Sequence, residues 1–141
     1  MSIQVLFHIS EEVRDCDTKR MQLAIQAIAS DYEWTVGEIS VALISDVEIH
    51  SINSQHLQHD YPTDVISFDL TESDTVLEGE IIASVETADR EAPQHGWLGD
   101  DELLLYVIHG MLHIVGLLDK TDADILEMRA AEKHYLSMFQ N

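Results

Sequence analysis

His109 and His113 carry the clearest chemical signal in this chain of 141 residues. On an α-helix, residues four apart lie one turn above the other on the same face. Both histidines fall inside an apolar run over 103–118, which predicts a buried helix. Buried imidazole nitrogens need partners, and two rings that face the same way can meet this need by binding one metal ion. The alternative is a pair of histidines that are hydrogen-bonded to the backbone.

Asp119 supplies the third group of the predicted metal site. Gly116 predicts the end of the helix, after which the chain can turn back toward the two histidines. Two imidazoles and one carboxylate, with a fourth position open for water, fit a zinc site. We therefore predict one zinc ion per chain, bound by His109, His113 and Asp119, although the same ligands accept nickel, cobalt or iron.

Gly110 separates this pattern from that of a common class of zinc protease. The residue after the first histidine is the catalytic glutamate in the H-E-x-x-H motif, and here it is glycine. Peptide hydrolysis by that mechanism is disfavoured. We interpret Gly110 as a small residue that leaves room beside His109.

The chain is strongly acidic, with a net charge of −20 from 27 acidic and 7 basic residues. Such a surface repels nucleic acid over most of its area and attracts divalent cations. Any contact with nucleic acid must be local, assisted by metal or delivered by a partner. The basic residues cluster in sequence only at Arg14, Lys19 and Arg20, which either pair with neighbouring acids or form a phosphate-binding patch.

The sequence favours a cytoplasmic protein without membrane contact. Cys16 is the single cysteine, which excludes an internal disulfide and is consistent with a reducing compartment. Residues 1–4 show no basic segment followed by a long apolar one, as a secretory signal would. The apolar run over 103–118 is too short and too polar for a membrane span.

Apolar periodicity predicts one domain over residues 1–141. Alternating patterns indicate strands, and apolar residues three and four apart indicate helices. We expect an α/β (α+β) fold with a mixed sheet of about four strands, a hairpin-like pair formed by its last two strands, and a central apolar helix surrounded by the others. The predicted strands are 2–9, 38–45, 65–70 and 79–85, and the predicted helices are 18–32, 47–56, 86–94, 101–116 and 122–139.

Three segments taken together resemble a known family. They read His109-Gly-x-Leu-His113-Ile-x-Gly116, Asn53-x-x-His56-x-x-x-Asp60-x-Pro62-Thr63-Asp64-Val65-Ile66-Ser67-Phe68, and Gly79-Glu80-Ile81-Ile82. In residue type and spacing they are similar to the bacterial YbeY family of metal-dependent endoribonucleases. Length and element order agree as well, so the resemblance covers nearly the whole chain.

The resemblance implies a single-strand endoribonuclease that acts in ribosomal RNA maturation and ribosome quality control. His109 and His113 match the first two metal-binding histidines of the family, and the third falls on Asp119. By hypothesis, water activated by the metal attacks a phosphodiester. Asp64 and Glu80 are candidates for the general base, with turn capping or strand-end solvation as the alternative roles. The implied partners are ribosomal RNA and ribosomal or assembly proteins, and the oligomeric state is left open with a monomer favoured.

Leu57 departs from the family pattern, which has an arginine at this position. Arginine can hold a phosphate or stabilise its developing charge, and leucine can do neither. His56 or His59 could partly substitute, and Thr63 or Ser67 could donate hydrogen bonds to a substrate. Two alternatives therefore stay open: a ribosome-assembly binding factor that retains the metal site with weak or lost catalysis, and a metallohydrolase that acts on another substrate.

Overall fold

The computed structural model describes residues 3–56 and 64–140, with the side chains of 53–56 not described. Every predicted strand and helix is present in these ranges, with ends shifted by a few residues. A short 3₁₀ helix at Ala92–His95 replaces the last turn of the predicted helix over 86–94. The elements are β1 (Ile3–Ile9), α1 (Lys19–Asp31), β2 (Gly37–Ile44), α2 (Asp46–His56), β3 (Val65–Asp69), β4 (Leu77–Ser84), α3 (Val85–Glu91), α4 (Gly99–Ile114) and α5 (Asp122–Phe139).

The four strands form one mixed sheet in the order β1-β2-β4-β3. β1 pairs with β2, and β2 with β4, in parallel. β3 pairs with β4 in antiparallel fashion, with Val65 opposite Ala83 and Asp69 opposite Gly79. The prediction of a mixed four-stranded sheet with a hairpin-like pair is therefore confirmed.

α4 is the central helix, as predicted. It contacts α1, α3 and α5 as well as strands β3 and β4. Along its length nearly every apolar side chain is buried, because neighbouring elements surround it. Among residues 3–56 and 64–140, no helix is both long enough and apolar enough to cross a membrane.

Gly110 allows α4 to approach the sheet closely. A Cβ atom at this position would lie 3.0 Å from Cγ2 of Ile81 on β4 and 3.5 Å from Cγ2 of Val65 on β3. The space beside Gly110 is thus filled by the sheet, and our interpretation of this glycine as room beside His109 is wrong. Because glycine has no side chain, α4, which carries both histidines, can pack closely against β3 and β4 at this position.

Arg14 and Arg20, two of the three basic residues near the first helix, pair with acids, the first of the two roles considered for them. Arg14 bonds to Asp89 at 2.7 Å and to Asp100 at 2.9 Å. Arg20 bonds to Asp101 at 2.9 Å. These ion pairs connect the segment before α1 to α3 and to the start of α4, and α1 itself to the start of α4.

Candidate metal centre

The turn after α4 brings Asp119 back to the two histidines. The Gly116 N–H donates to the carbonyl of His113 at 3.0 Å, and the Leu117 N–H to that of Leu112 at 2.9 Å. This pair of hydrogen bonds defines a Schellman motif, in which the residue after the helix cap adopts a left-handed backbone conformation. Gly116 adopts this conformation with φ of +113°. The predicted end of α4 before Gly116 is confirmed, and the turn at this glycine reverses the direction of the chain.

Three ligand atoms converge at this turn. The Nε2 atoms of His109 and His113 lie 3.0 Å apart. Oδ2 of Asp119 lies 3.3 Å from Nε2 of His113 and 3.9 Å from Nε2 of His109. Zinc binds such atoms at about 2.0–2.2 Å, so tetrahedral ligands stand about 3.3 Å apart. The spacing of the three groups therefore fits a metal ion.

The other nitrogen of each ring is fixed by a hydrogen bond. Nδ1 of His113 lies 2.9 Å from the carbonyl oxygen of Leu117. Nδ1 of His109 lies 2.6 Å from Oε2 of Glu132, a residue of α5 that is only 5% exposed. A carbonyl and an ionised carboxylate can only accept, so both Nδ1 atoms carry the proton. Each neutral ring then presents a lone pair at Nε2, the form that binds metals.

Glu132 is held as a carboxylate by its neighbours. Burial alone would raise its pKa, but hydrogen bonds from His109 and Arg129, with the charge of Arg129, outweigh burial and lower the pKa. Nη1 of Arg129 donates to both carboxylate oxygens at 2.6 Å. The buried acid therefore keeps its negative charge and accepts the proton of His109.

The arrangement of these three groups favours the binding of a cation between the two imidazole rings. Two lone pairs on Nε2 atoms 3.0 Å apart repel each other, and the carboxylate of Asp119 adds negative charge beside them. A divalent ion satisfies all three groups at once. A purely backbone-bonded pair, the alternative, accounts for one nitrogen of His113 and does not account for the approach of both Nε2 atoms to the carboxylate of Asp119. The group His109, His113 and Asp119 can thus bind a metal ion.

A cleft of about 480 Å³ opens beside the metal group. His109 and Asp119 form part of its wall, and Asp64 lies on the same wall. The carboxylate of Asp64 is exposed and accepts the Val65 N–H at 2.7 Å through Oδ1. The structure therefore places one of the two candidate bases in the cleft, and its catalytic role stays a prediction.

Glu80 lies away from the cleft. Side chains alternate between the two faces of a strand, and the neighbouring Ile81 faces α4 at Gly110. Glu80 therefore points to the opposite face, opposite Phe68 on β3, which packs against the smaller apolar cluster under α2. The structure does not bring Glu80 to the metal group, and its predicted role as a base gains no support. Four further residues singled out from the sequence lie outside the described side chains: His56, Leu57, His59 and Thr63.

A second buried acid lies two turns before the first histidine. Glu102 is 3% exposed, and its Oε1 accepts from Nε1 of Trp97 at 2.8 Å and lies 2.7 Å from Nδ1 of His95. Nearby Tyr106 is held neutral, since burial and then the charges of Glu102 and Asp64 raise its pKa. Tyr106 therefore presents a phenol to the cleft.

Sequence analysis missed both buried glutamates. Glu132 stands on an apolar stripe of α5 with Met128, Tyr135 and Leu136, and a charged residue on a buried stripe is the signal that could have found it. Glu102 shows the same signal at the start of the apolar run. Glu102 belongs to the first turn of α4, which is rich in acids. The favourable interaction of acidic side chains with the helix dipole is sufficient to explain a glutamate at this position.

The fold and the site together define a class of protein: a small mixed α/β domain with a two-histidine, one-carboxylate group that can bind a metal ion at the end of its central helix. The family described as Endoribonuclease YbeY matches residues 6–140. The chain belongs to this family, as the motifs indicated.

Individual relatives agree with the family match. Endoribonuclease YbeY of Rhodopirellula baltica is 45% identical over 120 residues, which are 82% of this chain and 62% of that protein. This chain thus spans less than two thirds of that relative. Endoribonuclease YbeY of Bacteroides fragilis is 37% identical over 92% of this chain and 94% of its own length. The solution structure of a Thermotoga maritima protein superposes with a TM-score of 0.66 and 29% identity, covering 96% of this chain and 87% of that one.

Proposed function

We propose that the protein is a zinc-dependent endoribonuclease that cleaves single-stranded RNA in ribosomal RNA maturation and ribosome quality control in the cytoplasm. The observation that carries the proposal is the convergence of two Nε2 atoms and one carboxylate oxygen at the edge of an open cleft. The names of the relatives support RNA as the substrate. One zinc ion per chain would polarise a phosphoryl oxygen and activate water.

The side chains around the metal group have separate tasks in this proposal. His109, His113 and Asp119 hold the ion, while Glu132 and the Leu117 carbonyl keep both rings in the metal-binding tautomer. In the cleft, Asp64 accepts the proton of the attacking water. The water oxygen then bonds to phosphorus as the bond to the leaving oxygen breaks, and the leaving oxygen takes up the proton held by Asp64.

The test compares His113→Ala with His134→Ala, a matched change at an exposed histidine of α5. The chain is purified without a histidine tag, and its zinc content and cleavage of single-stranded ribosomal RNA are measured. We expect about one zinc per chain in the wild type and in His134→Ala, and almost none in His113→Ala, because two ligands bind zinc weakly. Chelator should stop cleavage and added zinc restore it.

Two results would count against the proposal. Unchanged zinc content in His113→Ala would contradict the proposed metal site. RNA cleavage that does not respond to chelator would contradict the metal-dependent mechanism. RNA that stays intact while another ester is hydrolysed in a metal-dependent way would identify a metallohydrolase for another substrate.

The second candidate is a binding factor in ribosome assembly, with ribosomal RNA and ribosomal or assembly proteins as partners. Leu57, which stands where the family has arginine, and the net charge of −20 favour it. Leu57→Arg separates the two candidates. A large gain in RNA cleavage would indicate a weakened catalyst, whereas no gain, together with retained binding to ribosomal particles, would support the binding factor.

A further inference from the structure

The cleft beside the metal group continues along α4 and α5. A second cavity of about 430 Å³ lies between these helices. Leu105, Arg129 and Glu132 line both spaces, so the two join at these side chains. Beyond the junction the second cavity is bounded by Trp97, Lys133 and Gln140. We call this second cavity the α4–α5 groove.

The groove has more basic than acidic side chains in a strongly acidic protein, since among the described residues Arg129 and Lys133 line it beside the single carboxylate of Glu132. Of the lysine and arginine side chains in the described part of the chain, Arg129 is the one that lines both spaces. Its side chain is 60% exposed, and its bonds to Glu132 use Nη1 alone. Guanidinium has five N–H donors, so other donors remain for a ligand. Lys133, one turn further along α5, is exposed and adds a second charge.

An anchored aromatic side chain borders the same groove. The indole N–H of Trp97 is fixed on the buried carboxylate of Glu102. The ring of His95 lies against it, with centroids 4.9 Å apart and planes inclined by 48°. Aromatic side chains beside basic ones are the means by which proteins bind single-stranded nucleic acid without reading its sequence. Glu102 lies about 10 Å before His109 along α4, so the aromatic pair is near the metal group and separate from it.

We propose that the α4–α5 groove binds the nucleotides that flank the cleaved bond of a single-stranded RNA. Arg129 and Lys133 contact the phosphates, and a base stacks on Trp97. The RNA strand then runs from the metal group past Arg129 into the α4–α5 groove. The identity of the cleaved bond rests on the proposed function, whereas the binding surface itself does not require cleavage.

The first test measures binding without cleavage. A fluorescently labelled single-stranded RNA of six nucleotides is titrated with chelator-treated protein over a series of salt concentrations. We expect Arg129→Gln and Lys133→Gln each to weaken binding several-fold and to reduce the slope of log affinity against log salt by about 0.7. Lys19→Gln, the same change of charge on an exposed residue of α1, should leave the slope unchanged.

Lys133→Gln is the decisive variant of the pair, because the hydrogen bonds that hold His109 and His113 in the described part of the chain are made by Glu132 and Leu117 and not by Lys133. Arg129→Gln also removes a partner of Glu132, so its zinc content is measured beside its RNA affinity. Equal affinities and equal slopes for wild type, Lys133→Gln and Lys19→Gln would overturn the assignment of phosphates to this groove.

The second test examines the stacking contact. Trp97→Leu should weaken RNA binding about tenfold, within the range for loss of one stacked base. Trp34→Leu changes the other tryptophan of the chain, which lies at the end of α1, and should bind RNA as the wild type does. Thermal midpoints identify any variant that fails to fold. Wild-type affinity in a folded Trp97→Leu would overturn the stacking contact.

Cleavage of RNAs of increasing length separates the groove from the proposed function. With zinc-loaded wild-type protein, kcat/KM should rise as nucleotides are added on one side of the cleaved bond, and Lys133→Gln should reduce this rise. If no RNA is cleaved, the proposed function fails and the binding results still judge the groove. If RNA is cleaved without any dependence on length or on Lys133, the groove fails and the proposed function stands.

Discussion

Glu132 shows how one side chain from a different helix can prepare a metal site. Its carboxylate accepts from His109 of α4 and from Arg129 of α5. The acid therefore fixes the ring orientation and leaves Nε2 as the metal-binding atom. It also adds negative charge behind the ring, which makes the imidazole a stronger ligand.

We predict that Glu132→Gln lowers zinc affinity by about 10- to 100-fold, the range for loss of a group that supports a ligand. The amide oxygen can still accept from His109, but the negative charge is lost. Competition with a chromophoric chelator measures the affinity. Glu127→Gln, an exposed change on the same helix, is the control. A zinc affinity of Glu132→Gln within twofold of that control would show that the carboxylate does not tune the metal.

The Schellman turn after α4 is the element that completes the site. It supplies the carbonyl that holds His113, and it directs the chain toward Asp119. Its geometry depends on Gly116 at φ of +113°, a region that L-residues rarely adopt. A Cβ atom at this position would meet no atom within 4 Å, so the cost of a side chain is conformational.

Gly116→Ala should lower the free energy of unfolding by about 1–2 kcal/mol and also weaken zinc binding. Gly96→Ala is the matched control, because Gly96 has φ of +72°, open space around it and no contact with the metal group. We expect Gly96→Ala to lose stability while keeping its zinc affinity. Denaturant unfolding and chelator competition measure the two quantities. Equal zinc affinities in the two variants would contradict the role given to this turn.

Local patterns in the sequence were sufficient to predict the elements and the convergence of His109, His113 and Asp119. The histidines are four apart on one helix, and Asp119 follows directly after a glycine stop, so no distant contact had to be known. The face of β4 that packs against α4 was not accessible, since alternation shows that Glu80 and Ile81 face opposite ways and not which of them faces the helix. Glu132 and Glu102 were missed because their partners depend on how α5 and the 3₁₀ segment pack.

At the scale of the whole molecule, the excess of negative charge is the dominant property of the surface. Twenty-seven acids against seven basic residues leave the surface negative, and several basic side chains are already paired with acids in the described part of the chain. Repulsion between like charges destabilises a compact state, and salt screens it. Binding of RNA to a cationic groove responds to salt in the opposite sense.

We therefore predict that the thermal midpoint rises as NaCl increases from roughly 10 mM to roughly 500 mM, because screening relieves the repulsion. Over the same range the affinity for RNA should fall. Scanning calorimetry and fluorescence anisotropy measure the two trends, and KCl should act like NaCl. A midpoint that falls with salt would show that attractive ion pairs outweigh the net repulsion.

The three metal ligands all lie within residues 109–119, so their arrangement closes no long loop. A single helix and its exit turn form within microseconds, whereas parallel strands that are distant in sequence pair much later. An ion present during synthesis can consequently be captured by this segment while β1, β2 and β4 are still assembling. We therefore predict that zinc, if bound at this segment, acts as an early folding nucleus, so that refolding measured in zinc is faster than refolding measured in chelator.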